Sequence, residues 1–187
     1  MVEYDSIVCN SVWDVVPRPE DKSVVRSRWL YKVKQAANVS VEKRKARIVA
    51  HGCSHVEGIE YDETFSPVTR YSSIRSILAL STQMGWKIHH MDVKTTFLNG
   101  MIEEEVYIEK LEYFETFECE SHMCHLKRAL YGMKQAPCAC YTMINNYFTG
   151  LGFTKSEVDV NLYHIIVDGK LLIIVLYVDD LILTCDD

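Results

Sequence analysis

Long apolar runs are missing from this sequence. The most apolar stretch, residues 171–178, is far shorter than the ~20 residues that a bilayer-spanning helix needs, and it runs straight into two aspartates. No membrane segment is expected. A disulfide framework is missing too, since seven cysteines make an odd number at irregular spacings, and no signal peptide is read at Met1. A reducing, intracellular compartment is the expectation. The 4 prolines and 8 glycines never gather into a linker, so no clean domain boundary is visible, and there is no internal repeat. A positive balance is also absent: 20 Lys and Arg face 26 Asp and Glu, a net charge of -6, which argues against a uniformly basic nucleic-acid binder.

The distribution of charge changes that last impression. Between Arg18 and Arg47 ten basic residues face only Glu20, Asp21 and Glu42, a local excess of about seven positive charges. The compensating acid lies between Glu103 and Glu120. With 48% hydrophobic and 25% charged residues, the chain can bury one real core divided over one or two small subdomains.

Periodicity gives the coarse elements. Residues 24–34 and 45–51 alternate β-branched or aromatic residues with basic ones, predicting a strand pair with a basic face, broken at Ala37-Asn38. Ser72-Ser73 followed by Ile74, Ile77, Leu78 and Leu80 predicts an N-cap and an amphipathic helix ending near Gly85. Residues 87–92 predict a short strand, Asn99-Gly100 a turn, and residues 105–109 a strand with Val106 and Ile108 on one face. Residues 140–151 predict a second helix carrying Tyr141, Ile144, Tyr147 and Phe148 on its apolar side. Two apolar strands, 162–167 and 171–178, meet at Asp168-Gly169, a hairpin signal, and a third strand follows Asp180.

The acids carry the chemistry. Asp179 and Asp180 interrupt an otherwise apolar hairpin, where paired charges cost several kcal/mol unless water, hydrogen bonds or a cation compensates them. Asp92 likewise ends a strand. Carboxylates at neighbouring strand ends form an oxygen-rich site suited to Mg²⁺, and two such ions stabilise the attacking and leaving oxygens of a phosphoryl transfer. A plain solvated Asp-Asp turn is the competing reading of the pair taken alone.

Six segments, in order, then make the chain resemble the reverse transcriptase of copia-type long-terminal-repeat retrotransposons. They are Lys45-Ala-Arg-Ile-Val-Ala50, Asp62-Glu-Thr-Phe-Ser-Pro-Val68, Asp92-Val-Lys-Thr-Thr-Phe-Leu-Asn-Gly100, Glu103-Glu-Glu-Val-Tyr107, Leu130-Tyr-Gly-Met-Lys-Gln-Ala-Pro137 and Tyr177-Val-Asp-Asp180. The resemblance implies an α+β fold: a polymerase palm, an antiparallel sheet backed by helices, in residues 71–187, and β-rich fingers in residues 1–70. Together they would form one incomplete domain whose thumb is missing.

The same resemblance implies two Mg²⁺ ions, with Mn²⁺ as a substitute, held by Asp92, Asp179, Asp180 and the Val93 carbonyl. Arg47 resembles the triphosphate-gripping position, with Lys45 beside it on a strand face, although a surface lysine is an equal reading of Lys45. Phe97 stands where related polymerases carry a steric gate against the ribose 2′-hydroxyl; a core phenylalanine is the alternative. Gly132, Gln135 and Tyr177 would face nucleotide and template. Implied partners are an RNA or DNA template with its primer, deoxynucleoside triphosphates, and the integrase and ribonuclease H of the remaining Pol polyprotein. An intact element would keep these in a cytoplasmic virus-like particle, with no membrane involved.

Several positions depart from the family pattern: Ala50-His-Gly-Cys-Ser-His55, Cys138-Ala-Cys140, Leu111 and Tyr113. An expected Trp is replaced by Cys140, a loss of volume beside the nucleotide-facing segment. These departures, and an end seven residues after Asp180, lead to the expectation of a fragment or an eroded copy, and an inactive relic keeping the palm fold is the alternative function. A zinc module built on Cys119, His122, Cys124 and His125 is a third reading, weakened by ligands too close in sequence to reach one ion.

Overall fold

The computed structural model describes residues 2–35, 41–51, 68–109 and 121–186. In chain order the elements are α1 (Val2–Cys9), β1 (Trp13–Pro17), β2 (Val24–Val25), β3 (Ser27–Gln35), β4 (Val41–Ala50), α2 (Tyr71–Met84) and β5 (Ile88–Asp92). They continue with α3 (Thr96–Asn99), β6 (Tyr107–Ile108), β7 (His122–Leu126), α4 (Ala136–Gly150), β8 (Thr154–Lys155), β9 (Leu162–Val167), β10 (Lys170–Tyr177) and β11 (Asp180–Cys185). The chain is a mixed α+β protein of two compact units, Met1–Thr64 with Phe97–Cys140, and Phe65–Thr96 with Tyr141–Asp187. The expected break at Ala37-Asn38, the 52–67 stretch with most of one motif, Leu111, Tyr113 and Cys119 lie outside the described residues.

In the first unit, β1, β7, β6 and β2 form a four-stranded sheet in that order, and β3 pairs with β4 as an antiparallel hairpin. The predicted basic strand pair is that hairpin, with Val24–Val25 split off to pair in parallel with β6. Ile48, Leu98, Ile108, Leu126 and Leu130 lie at 0–2% exposure in one core. Val106 and Ile108 are both buried, as their shared face predicts. Tyr131 joins β4 by a parallel bridge to Val49, and its carbonyl accepts the Ala50 N–H at 2.8 Å. Gly132 follows at φ +87°, where a Cβ would collide with the Ala50 carbonyl oxygen. Only glycine allows this close approach of two backbones.

In the second unit the sheet runs β5-β11-β10-β9-β8 and is antiparallel throughout. Its central strand β10 carries the buried run Ile173, Ile174, Val175 and Leu176. Alternation sends these side chains to two faces. Ile173 and Val175 pack with Ile182 against Ile77, Ile74 and Trp86 of the α2 segment. The opposite face holds Tyr163, fully buried, whose ring meets Phe148 of α4 at 5.1 Å and whose hydroxyl donates to Asn145 Oδ1 at 3.2 Å. The β9–β10 hairpin turns at Asp168 (φ 51°) and Gly169 (φ 78°), both left-handed as a type I′ turn requires.

Four local expectations are corrected. The helix at 71–84 does not begin on Ser72-Ser73: its N-cap is Arg70, which makes no side-chain cap bond. The cap comes instead from the distant Asp159, whose Oδ2 accepts the Arg70 N–H at 3.1 Å while Oδ1 accepts the Asn161 N–H at 3.1 Å. A carboxylate at a helix N-terminus also meets the positive end of the dipole. Asn99-Gly100 is not a free turn but the end of the short helix α3, and α4 starts four residues earlier than expected, at Ala136. On α4, Ile144 and Phe148 are buried as predicted, whereas Tyr147 is 64% exposed.

The seam between α2 and β11 is polar yet satisfied. Ser81 Oγ donates to the Ile77 carbonyl at 2.8 Å and meets Thr184 Oγ1 at 3.0 Å; Thr184 donates on to the Lys87 carbonyl at 3.1 Å. Small hydroxyl side chains let helix and sheet approach closely without orphaned polar atoms.

Gly132→Ala should lose about 2 kcal/mol or more, from the left-handed φ and the Ala50 clash together, read as a lowered urea midpoint. Asp159 gives a pH test. Burial pushes its carboxyl up, but the Ser73 hydroxyl and the Asn161 and Arg70 N–H groups outweigh this and hold it below the usual carboxylate range. A depressed folded-state pKa favours folding of the ionised form, so the stabilisation is present above pH ~4 and lost as pH falls further. Asp159→Asn should therefore unfold about 1–3 kcal/mol more easily at pH ~7 and converge with the unsubstituted chain in acid.

Candidate active site

Two strands and one turn bring the predicted acids together. β10 and β11 are joined by Val178-Asp179, with Tyr177 paired to Asp180. β5 lies antiparallel on the other side of β11, with Asp92 directly opposite Asp180. Directly opposed residues point to the same face, so Tyr177, Asp180 and Asp92 form a row across three strands. The Val93 N–H donates to the Asp179 carbonyl at 2.7 Å, pinning the end of β5 to the turn.

The turn is strained. Val178 sits at φ 53°, a conformation that β-branched residues avoid and that costs on the order of 1–3 kcal/mol. The buried strands on either side hold it there. Asp179 is thereby drawn partly inward: its Oδ1 is buried and, among the described residues, has no hydrogen-bond partner. A buried carboxylate oxygen without a donor is the kind of atom whose charge a cation satisfies.

This is the test of metal fit. Carboxylates and a carbonyl are the hard oxygen donors that Mg²⁺ takes, and the orphaned Asp179 oxygen suits them. The Val93 carbonyl accepts the buried Thr96 hydroxyl at 2.7 Å, which leaves its second lone pair free for a cation. Among the described residues no three His, Cys, Asp or Glu side chains already converge in ligand geometry. The acids meet through backbone register, with Asp92 exposed and the Asp180 side chain 46% exposed. The donor set fits the ions in its chemistry: carboxylate and carbonyl oxygens only.

Tyr177 stands beside this row. Its ring lies 6.5 Å from that of Tyr71 at 39°. A hydrogen bond to Tyr71 and the nearby Asp180 charge hold the Tyr177 hydroxyl above its ordinary pKa.

The remaining predicted residues belong to the first unit. Arg47 and Lys45 share one face of β4, opposite Leu30 and Lys32 respectively. Lys32 and Lys45 are like charges directly opposed, a pairing that destabilises a hairpin unless an anion compensates it. The Arg47 guanidinium lies 4.6 Å from the centre of the Tyr131 ring, and Phe97 meets that ring edge-on at 5.2 Å. Arg47, Tyr131 and Phe97 thus form one cluster, in which Phe97 is partly buried at the edge of the core. Gly132 follows Tyr131. Gln135 is 3% exposed and immediately precedes α4, where its carbonyl accepts the Ala139 N–H at 3.0 Å.

Four residues of consequence escaped the sequence reading. His90 was visible by period 2 from Asp92, and Tyr131 by its place in the Leu130–Pro137 motif. Thr96 and Asp159 carried no signal of their own, since each acts through a backbone contact that only the fold creates. The zinc reading gains nothing here: Cys124 is buried in the first unit's core, and His125, on the opposite face of β7, packs against the Tyr107 ring at 5.0 Å.

Residues 10–187 match the family described as reverse transcriptase (RNA-dependent DNA polymerase). The retrovirus-related Pol polyprotein from transposon RE1 of Arabidopsis thaliana is 36% identical over 187 residues, covering 99% of this chain and 13% of that protein. The corresponding polyprotein from transposon TNT 1-94 of Nicotiana tabacum is 34% identical over 186 residues, covering 99% of this chain and 14% of its own length. The chain therefore spans about one-seventh of the length of these relatives. It belongs to the reverse transcriptase family, as the domain carried in the Pol polyproteins of copia-type transposons.

Proposed function

We propose that the chain serves RNA-directed DNA synthesis, joining deoxynucleoside triphosphates to a primer 3′-hydroxyl on an RNA or DNA template. The observation that carries this reading is the register of β5 on β11, which sets Asp92 opposite Asp180 and ties Val93 to the Asp179 carbonyl. In this proposal residues 1–70 act as fingers and residues 71–187 as palm. The compact units are a different division, in which Phe97–Cys140 groups with the N-terminal residues.

Asp92, Asp179, Asp180 and the Val93 carbonyl would hold two Mg²⁺ ions, or Mn²⁺ in their place. Such ions, when bound, supply positive charge to the attacking and leaving oxygens of the phosphoryl transfer. The chain's own residues do the rest. Arg47 offers the triphosphate a planar fork of donors, held over the Tyr131 ring, and Lys45 adds a point charge on the same face. Phe97, braced edge-on by Tyr131, excludes a ribose 2′-hydroxyl. Gly132, Gln135 and Tyr177 shape the surfaces that meet nucleotide and template. In an intact element the ribonuclease H and integrase of the same polyprotein would be partners, inside a cytoplasmic virus-like particle. No helix among the described residues is long and apolar enough to cross a membrane.

In primer extension with Mg²⁺ or Mn²⁺, Asp92→Asn and Asp179→Asn should each lower the rate roughly a hundredfold or more. Signal equal to the unsubstituted chain in both would remove these acids from the chemistry. Phe97→Val should raise ribonucleotide incorporation relative to deoxynucleotide by about 10- to 200-fold in kcat/KM. An unchanged ratio would return Phe97 to a packing role.

A further inference from the structure

His90 has no part in the roles assigned so far. Its Nε2 lies 3.0 Å from Asp180 Oδ1. The register explains the contact: on β5, His90 and Asp92 share a face, and Asp180 stands opposite Asp92. Directly opposite His90 is Ile182, which offers no polar side-chain atom, so the imidazole reaches along the diagonal to the carboxylate. An ionised carboxylate only accepts, so the nitrogen facing it carries a proton and donates. Both side chains are open to solvent, His90 at 65% and Asp180 at 46%, and an exposed pair of this kind adds little to stability. A contact that does little for folding but grips one oxygen of an active-site acid acts through orientation.

We infer that His90 is a positioning residue: its N–H holds Asp180 Oδ1 and so presents the other carboxylate oxygen to the divalent cation shared with Asp92. This rests on the metal-carboxylate reading of the three aspartates. Carboxylates that ligate metals are commonly held by a hydrogen bond of their own, and loss of that partner typically lowers metal affinity ~10–100-fold.

The test is titration of Mn²⁺ alone into the 187-residue chain, with free Mn²⁺ counted by electron paramagnetic resonance and folding checked by circular dichroism. His90→Leu should bind Mn²⁺ about tenfold more weakly, while His90→Gln, which keeps an N–H donor at similar reach, should stay within about twofold. In an Asp180→Asn background, His90→Leu should have no further effect. Unchanged or tighter binding by His90→Leu overturns the inference, as does an equal loss in His90→Gln. If Asp92→Asn loses binding and His90→Leu does not, the metal site stands and the role of His90 falls. Absence of Mn²⁺ binding by the unsubstituted chain removes both.

Discussion

The candidate chemistry depends on one strand register. β5 pairs with β11 so that Asp92 faces Asp180, and side-chain direction in a strand alternates with period 2. A slip by a single residue would send Asp92 to the opposite face and bring Met91 into its place. Two features pin the register. The Val93 N–H bonds the Asp179 carbonyl at 2.7 Å, and Thr184, paired with Ile88, holds the Lys87 carbonyl at 3.1 Å, so both ends of β5 are tied. The strand needs this help because every residue in it is exposed, and no apolar face selects its position.

The strain in the turn is supported by the same unit. A β-branched residue at positive φ persists only where its surroundings over-determine it. Ile173 to Leu176 on β10 are all at 5% exposure or less, and α2 is locked to β11 through Ser81 and Thr184. Asp159 fixes the start of α2, and the Thr69 hydroxyl donates to the Leu176 carbonyl, one residue before Tyr177. The helix cap and the Asp179 hairpin are therefore parts of one hydrogen-bonded frame. Damage at Asp159 would reach the Asp179 turn through that frame.

What the sequence made legible follows from what each feature requires. The hairpins at Asp168-Gly169 and at Asp179 were readable because turn chemistry and apolar alternation are local. The helix C-terminus at Gly85 was readable for the same reason, and its N-terminus was not: Ser72-Ser73 has the right residues for a cap, but a buried acid eighty-odd positions later wins because it satisfies Arg70 and Ser73 together. The split of residues 24–34 into β2 and β3 also needed tertiary knowledge, since β2 exists only by pairing with β6. At the site, the acids were visible as charges out of place in apolar strands. Their mutual register, and the packing of Arg47 and Phe97 against Tyr131, were not, because no sequence spacing encodes which residue faces which across separate elements.

Each unit carries a like-charge opposition that folding alone does not reward. In the second, two carboxylates face one another across β5 and β11; in the first, Lys45 faces Lys32 across β3 and β4. Direct opposition of like charges is unfavourable on a sheet, and each pair is partly exposed, so each is tolerated at modest cost. The two oppositions have opposite sign, so positive charge would relieve the first and negative charge the second. Binding of either charge to the folded chain would offset the corresponding repulsion.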